Sequence, residues 1–300
     1  MNIFNTLFVT TLPVVPKSII RKFANKYIAG DTLQEAVNLT RELNKKGIMA
    51  TIDVLGEAVE DKQDALNAKT ECLEVLKAID KNKLAANHSL KPTSLGLGLD
   101  YGFCLQNLTE IVNRANELGQ FVRIDMEDSP YTNKTINLYN DVYKHYQNCG
   151  VVIQSYMRRS MDDVKELVKT KTNFRLCKGI YIEPKEIAYK VKQEVRDNYI
   201  NLLRVMFENN CYVGIATHDD YLIEGAYKLI DEFKKRKDEY EFQMLLGVRE
   251  KVRDKIAADG HRMRIYVPFG VHWYKYSIRR FKENPNMAGY AFKALFTRGR

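Results

Sequence analysis

Eight short runs rich in Val, Ile, Tyr and Phe alternate with longer amphipathic stretches along this chain. An amphipathic stretch between two apolar runs is typical of a crossover that joins parallel strands. Eight such units favour a closed (β/α)8 barrel over an open doubly wound sheet, and 300 residues suffice for a barrel with extra helices. The predicted strands are 48–55, 89–95, 121–126, 151–156, 174–181, 212–217, 241–246 and 263–268.

Helices are predicted between most of these runs and also before the first one. Within residues 17–45, Asp31 and Thr32 followed by Glu35 form a helix start signal. No GxGxxG turn follows the first strand, which weakens a dinucleotide-binding doubly wound fold. The predicted helices between strands are 105–118, 135–149, 162–170, 185–209 and 221–237.

No linker rich in Gly, Pro or Ser divides the chain, so a single barrel domain is expected. Within it we distinguish a helical arm (1–45), the barrel (46–286) and a tail (287–300). The first residues lack the basic segment of a signal peptide, and no stretch is apolar and long enough to span a bilayer. A cytoplasmic location is therefore expected. Contact of the arm and the tail with the inner face of the membrane is left open.

Charge and cysteine content narrow the class of function. A net charge of +9 is compatible with nucleic acid, anionic membranes or acidic ligands, but the basic residues are spread along the chain. Five scattered cysteines without a CxxC spacing argue against a disulfide framework and against structural zinc. We therefore expect a reducing compartment, no metal site and no nucleic-acid partner.

Polar residues fall in or just after the predicted strands, and barrel enzymes place their chemistry at the carboxyl ends of strands. An inward-facing charge is costly unless it is paired or bound to ligand, so a converging set indicates a polar ligand site. For any single residue, an ion pair at the barrel rim is the alternative. The set is Glu57, Lys91, Asp125, Gln154, Arg175, Lys178, Thr217, His218, Asp219, Gln243, Arg264 and Tyr266.

The helix predicted after the eighth strand carries a second polar pattern. Tyr276, Arg279, Arg280 and Glu283 stand at i, i+3, i+4 and i+7, so they share one helical face. A guanidinium binds a carboxylate through two parallel hydrogen bonds, which a lysine cannot do. Two adjacent arginines beside a glutamate suit a zwitterionic amino acid.

Nine short motifs occur along the chain: DVLGE (53–57), LKPTSLGL (90–97), VRIDMEDS (122–129), IQSYMRRS (153–160), FRLCKGIYIEP (174–184), ATHD (216–219), EFQMLLGV (241–248), RIYVPFG (264–270) and WYKYSIRRFKENPN (273–286). In these motifs, and over nearly its whole length, the chain resembles the bacterial single-function proline dehydrogenases. The resemblance implies a distorted (β/α)8 barrel with FAD at its mouth. Proline would give a hydride to flavin N5 and become 1-pyrroline-5-carboxylate, the first step of its catabolism to glutamate, and a membrane quinone would take the electrons.

By matched position, the resemblance assigns a role to each site residue. Asp125 and Arg175 would be the central catalytic pair, with Arg175 near flavin N5. Glu57 would pair with Arg279 to gate the site. The residues that would bind proline are Lys91, Arg279 and Arg280 at its carboxylate, Tyr266, Tyr276 and Leu245 around its ring, and Glu283 in support. The residues that would contact FAD are Met126, Gln154, Arg175, Lys178, Gly179, Ile180, Thr217 and His218.

Two positions bear on the fit of cofactor and substrate. Ile180 replaces the small residue usual in the family, so its side chain crowds the site unless the contact there is through the backbone. Tyr266 favours proline over 4-hydroxyproline, as the resemblance implies.

Two other functions remain as alternatives. They are another FAD-dependent barrel oxidoreductase, such as a folate reductase, and a non-catalytic basic protein that binds nucleic acid or membrane.

Overall fold

The computed structural model describes residues 20–21, 24–56, 58–274 and 276–278. Eight parallel strands close into a barrel in chain order, with β1 paired to both β2 and β8. The predicted (β/α)8 architecture is therefore confirmed. The strands are β1 (Met49–Val54), β2 (Ala86–Leu90), β3 (Val122–Ile124), β4 (Cys149–Gln154), β5 (Phe174–Cys177), β6 (Val213–Ala216), β7 (Tyr240–Leu245) and β8 (Met263–Phe269).

In the described part of the chain, an α-helix lies directly before β1, and one α-helix lies between each pair of consecutive strands. Short 3-10 turns at Pro92–Leu95 and Val168–Thr170 add to them. Across the same residues, no helix combines the length and the apolar character needed to cross a membrane. The helices are α1 (Leu33–Lys45), α2 (Lys62–Lys81), α3 (Tyr101–Glu117), α4 (Ser129–Tyr143), α5 (Ser160–Leu167), α6 (Lys192–Glu208), α7 (Asp220–Glu232) and α8 (Glu250–Ala258).

The first helix begins where its sequence signal predicts. Thr32 is the N-cap of α1, and its hydroxyl accepts a hydrogen bond from the main-chain nitrogen of Glu35 at 3.4 Å. The Glu35 carboxylate accepts the Thr32 main-chain N–H in return, at 2.9 Å. This reciprocal pair satisfies two amides that have no partner within the helix.

The second strand is the clearest error in the predicted boundaries. We predicted 89–95, whereas β2 is Ala86–Leu90 and the chain then turns through the 3-10 segment. Pro92 has no N–H to continue the ladder. The amide of Thr93 is held by the Glu127 carboxylate at 2.9 Å, and Gly96 closes the turn with φ +96°.

Several helix boundaries were also wrong. The helix predicted over 135–149 begins earlier, at Ser129, because Pro130 is tolerated in a first helical turn. It ends at Tyr143, and Cys149 already opens β4. The helix predicted from 185 begins only at Lys192, and the one predicted to reach 237 ends at Glu232.

Strand alternation separates two environments. Residues such as Ile52, Ile124 and Ile265 point outward into the apolar layer between the strands and the helices, where they are buried. The alternate residues point into the barrel, since successive side chains of a strand face opposite sides. This places the polar members of the strands along the barrel axis.

Candidate active site

Charged and polar side chains line the barrel interior, where most (β/α)8 barrels carry bulky apolar ones. Arg175 shows the arrangement most directly. From β5 its guanidinium donates to Gln243 on β7, to Ser89 on β2 and to Asp125 at the end of β3. A side chain that contacts three other strands in this way must cross the interior.

Arg175 and Asp125 form the centre of the site. Arg175 Nη1 lies 2.7 Å from Asp125 Oδ1, which also accepts the Ser89 hydroxyl at 2.7 Å. On the far side of the guanidinium, Nε donates to Gln243 Oε1 at 2.7 Å. The guanidinium carbon lies 5.5 Å from the centre of the Tyr266 ring. The structure therefore brings together the two residues predicted as catalytic.

Lys91 joins this centre just beyond the end of β2. Its ammonium donates to both carboxylate oxygens of Asp53, at 2.9 and 3.1 Å, and lies 3.7 Å from Asp125 Oδ2. The Tyr266 hydroxyl donates to Asp125 Oδ2 at 3.2 Å and lies 3.4 Å from the Lys91 ammonium. Two carboxylates thus face one lysine and one arginine.

Burial and neighbouring charges together set the ionisation of this cluster. Although burial alone would lower the pKa of Lys91, the nearby Asp53, Tyr266 and Asp125 raise it well above its usual value, so the ammonium stays charged. Burial and then the Asp125 carboxylate raise the pKa of Tyr266, so the phenol stays neutral. The cluster therefore offers a fixed cation and a neutral hydroxyl on one side of Asp125.

The residues predicted to contact FAD lie at the carboxyl ends of β3 to β6. Gln154 donates to the main-chain oxygen of Met126 at 3.2 Å, which ties the ends of β4 and β3 together. Lys178 lies 3.3 Å from Asp219, the residue that precedes α7. Burial would raise the pKa of Asp219, but hydrogen bonds from Arg196 and the charge of Lys178 outweigh it and lower the pKa to about 2.

Thr217 and His218 complete this rim. The Thr217 hydroxyl accepts the Asp219 amide at 3.1 Å, which begins the turn into α7. His218 Nε2 accepts the main-chain N–H of Leu245 at 2.9 Å, so a neutral imidazole carries its proton on Nδ1. The same bond fixes Leu245 at the end of β7, on the rim.

Gly179 and Ile180 follow β5. Gly179 has φ +100°, and a Cβ at this position would lie 2.1 Å from the Tyr156 ring. Glycine is therefore required both for the turn and for its close approach to Tyr156. The Ile180 side chain is substantially exposed.

Tyr276 is buried among Ala24, Tyr27, Ile28 and Leu55, where the segment before α1 meets the end of β1. Four other predicted site residues lie outside the described residues: Glu57, Arg279, Arg280 and Glu283.

The structure also shows what the sequence reasoning missed. Asp53, the closest partner of Lys91, was not among the assigned residues, although the polar residue two positions before it, Thr51, signals an inward face. Arg264 belongs to the other end of the barrel. It lies near the start of β8 and pairs with Glu241 at 2.6 Å, so its inclusion among the residues at the barrel mouth was wrong.

Comparison with known proteins decides the family. Residues 36–291 match the model of the family described as proline dehydrogenase. The chain belongs to the proline dehydrogenase family. Proline dehydrogenase 1 of Bacillus subtilis is 35% identical over 272 residues, which cover 91% of this chain and 90% of that protein. Proline dehydrogenase of Deinococcus radiodurans is 30% identical over 277 residues, covering 91% and 89%.

A longer protein shares the fold. The crystal structure of proline utilization A from Bdellovibrio bacteriovorus, inactivated by N-propargylglycine, matches with a TM-score of 0.85 and 25% identity. The match covers 94% of this chain and 36% of that one. Family membership makes the chain an oxidoreductase that acts on proline, and it confirms the resemblance seen in the motifs.

Proposed function

We propose that this proline dehydrogenase homologue oxidises L-proline to 1-pyrroline-5-carboxylate with FAD as its cofactor and a membrane quinone as electron acceptor. The observation that carries the proposal is the cluster of Lys91, Asp53, Asp125, Arg175 and Tyr266. It joins a fixed cation for a carboxylate to a guanidinium deeper in the barrel. Both lie in the interior at the mouth end.

The rim residues fit a flavin dinucleotide in their chemistry. Lys178, which is partly exposed, supplies positive charge for a pyrophosphate, and Gln154, Thr217 and His218 supply polar groups beside it. Gly179 turns the chain at the rim with φ +100°, which favours a backbone contact at Ile180. When bound, FAD accepts the hydride that proline gives up.

Lys91 is the proposed anchor for the proline carboxylate, together with Arg279 and Arg280. Because Asp53 holds its ammonium at 2.9 Å, the lysine is in place before proline arrives, which lowers the entropic cost of binding. Three cations at one carboxylate orient the ring, with Tyr266, Tyr276 and Leu245 around it, and Glu283 in support.

Arg175 and Asp125 are the proposed catalytic pair. The reaction requires proline with a neutral amine, and a surrounding field of cations favours loss of the amine proton. The positive charge of Arg175 also suits a centre that gains electrons, which is electrostatic stabilisation by a preorganised group. Glu57 is proposed to pair with Arg279 and gate the site.

The experiment is dye-linked turnover of the purified protein after FAD is added. We expect proline to bleach the bound flavin and to drive dye reduction, with no turnover of methylenetetrahydrofolate and less of 4-hydroxyproline. A protein that takes up no FAD would contradict the proposal, as would a flavin that proline does not reduce. Turnover of the folate in its place would favour a folate reductase.

Arg280→Ala is the first variant to make. Loss of one of three carboxylate cations raises KM for proline roughly 30-fold, the size expected for a charged hydrogen bond, while the FAD content stays that of the wild type. Flavin titration and steady-state kinetics together check this. Loss of FAD from the variant would mean that the arginine supports the fold or the cofactor.

Location and domain organisation complete the proposal. We place the protein in the cytoplasm as one barrel domain, with the arm (1–45) and the tail (287–300) as the candidate contacts with the membrane that holds the quinone. Flotation with anionic liposomes tests the tail, because deleting it should reduce binding. Unchanged binding after the deletion would exclude this role.

A further inference from the structure

A second polar network fills the barrel below the site. Glu241, near the start of β7, accepts Arg264 Nε at 2.6 Å and Arg264 Nη2 at 3.0 Å. Its Oε2 also accepts the Tyr212 hydroxyl at 2.9 Å. Burial would raise the pKa of Glu241, but Arg264 outweighs it and lowers the pKa to about 2, so the carboxylate is ionised and can only accept hydrogen bonds.

Gln243 connects this network to the site. Two residues further along β7, it donates Nε2–H to Glu241 Oε1 at 2.6 Å. Because an ionised carboxylate offers no proton, the Gln243 amide has to present its nitrogen downward and its oxygen upward. The upward oxygen accepts Arg175 Nε–H at 2.7 Å.

The barrel leaves space for this amide at Gly214. A Cβ at that position on β6 would lie 2.3 Å from Gln243 Nε2 and 2.8 Å from its side-chain carbonyl carbon. The backbone of Gly214 needs no special conformation, so its requirement for glycine comes from the Gln243 side chain. Any larger residue would push the amide away from either Glu241 or Arg175.

We propose that Glu241 is a positioning residue for Arg175 and acts through the Gln243 amide. The inference rests on the proposed function, in which Arg175 acts on the reacting centre. The carboxylate sets the orientation of the amide, and the amide carbonyl then fixes Nε of Arg175. With Nε fixed, Nη1 stays directed at Asp125 and Ser89.

The central test is Glu241→Gln, which keeps the shape and removes the charge. A glutamine at 241 both donates and accepts, so it no longer imposes one orientation on Gln243. When the amide flips, its NH2 faces Arg175 Nε–H and that hydrogen bond is lost. We expect kcat for proline to fall about tenfold, as for one lost hydrogen bond to a charged group, with KM changed less than about twofold.

Two further variants separate positioning from general damage. Tyr212→Phe removes a hydrogen bond to Oε2 of the same carboxylate but leaves the bond to Gln243, so kcat should stay at the wild-type value. Gly214→Ala displaces the amide without changing any charge, so kcat should fall as in Glu241→Gln. Wild-type kcat in both Glu241→Gln and Gly214→Ala would overturn the proposal. An equal loss in Tyr212→Phe would do so as well.

A spectroscopic readout keeps this test independent of turnover. The measurement is the NMR signal of the Arg175 Nε–H in the FAD-loaded protein. It is assigned by its disappearance in Arg175→Lys. It should shift in Glu241→Gln and in Gly214→Ala but not in Tyr212→Phe. If the wild type fails to oxidise proline, the proposed function fails, and this signal still decides whether Glu241 orients Arg175. An unmoved signal in Glu241→Gln would overturn the inference.

Discussion

The barrel interior holds two polar layers that contain the same kinds of charge but pair them differently. In the lower layer the side chains of Glu241 and Arg264 are 3% and 11% exposed. In the upper layer those of Asp53 and Arg175 are as buried, at 1% and 8%, whereas those of Asp125 and Lys91 are 13% and 19% exposed. The lower carboxylate is hydrogen-bonded through both oxygens to Arg264, whereas the upper lysine is open toward the mouth.

The difference indicates how one barrel uses buried charge in two ways. A buried ion pair is costly to break, because removing one partner leaves the other charge without compensation. In the lower layer this cost keeps the Glu241–Arg264 pair in one arrangement. In the upper layer the proposed ligand carries charge of its own, so proline can join the pairs that exist in the free protein. Substitutions in the lower layer should therefore reduce stability, and should reduce activity only where they act on Arg175 through Gln243. Substitutions in the upper layer should chiefly reduce activity.

The largest effect is expected for Arg175→Met in the upper layer. Loss of a preorganised cation at the reacting centre should lower kcat/KM for proline by about 10³-fold. Asp125 keeps its hydrogen bonds from Ser89 and Tyr266, but Gln243 Oε1 loses its donor, so the unfolding free energy should fall by about 1 kcal/mol. Steady-state kinetics and urea unfolding check the two parts. A variant that keeps more than a tenth of the activity would contradict the assignment of Arg175.

The same substitution one layer down, Arg123→Met, should act in the opposite way. The guanidinium of Arg123 donates to the main-chain oxygens of Val151 at 3.1 Å and Asn173 at 2.6 Å, and to the Asn173 side chain. Without it the Val151 oxygen and the Asn173 side chain lose a charged donor, while the Asn173 main-chain oxygen keeps its hydrogen bond from the Val151 amide at 3.2 Å. The free energy of unfolding should therefore fall by about 3 kcal/mol. The kcat should stay within about twofold of wild type. A loss of kcat at unchanged stability would instead mean that Arg123 acts on the upper layer.

Acid should weaken the lower layer in a defined pH window. The Glu241 carboxyl has a pKa of about 2 in the folded protein against 4.5 ordinarily, so its contribution is complete above about pH 5 and is lost as pH falls toward 2. That contribution is on the order of 3 kcal/mol. We therefore expect the stability advantage of wild type over Glu241→Gln to shrink between pH 5 and pH 3, measured by urea unfolding. An advantage of equal size at both pH values would contradict an ionised Glu241.

The two layers also show how far the sequence alone could be read. The alternation of strands and helices predicted the barrel, because each amphipathic stretch carried a helical period and each apolar run did not. Arg175 and Asp125 entered the candidate set because a charge inside a short apolar run is conspicuous, and the family resemblance then assigned their catalytic role. The strand boundaries were less certain. Pro92 ended β2 early, through a missing N–H that the hydrophobic pattern does not register.

The depth at which each inward-facing side chain lies along the barrel axis was harder to predict. Arg264 and Tyr266 are two residues apart on β8 and face the same way, yet they lie in different layers, because two residues span about 7 Å of strand. Asp53 and Lys91 are 38 positions apart in the chain, and their pairing depends on the register of β1 against β2. Neither depth nor register follows from hydrophobicity, so the second layer was not anticipated.

The smallest effect is expected at the rim, where Ile180 stands in place of the small residue usual in the family. Its side chain is 42% exposed, and the preceding Gly179 turn favours a contact through the backbone. Ile180→Ala should therefore change the affinity for FAD and the KM for proline by less than about threefold, since a half-exposed side chain loses little buried area. Flavin titration provides the measurement, and Gly179→Ala is the matched control that should weaken FAD binding because its Cβ would collide with Tyr156. A large gain in FAD affinity in Ile180→Ala would instead mean that the isoleucine side chain crowds the cofactor.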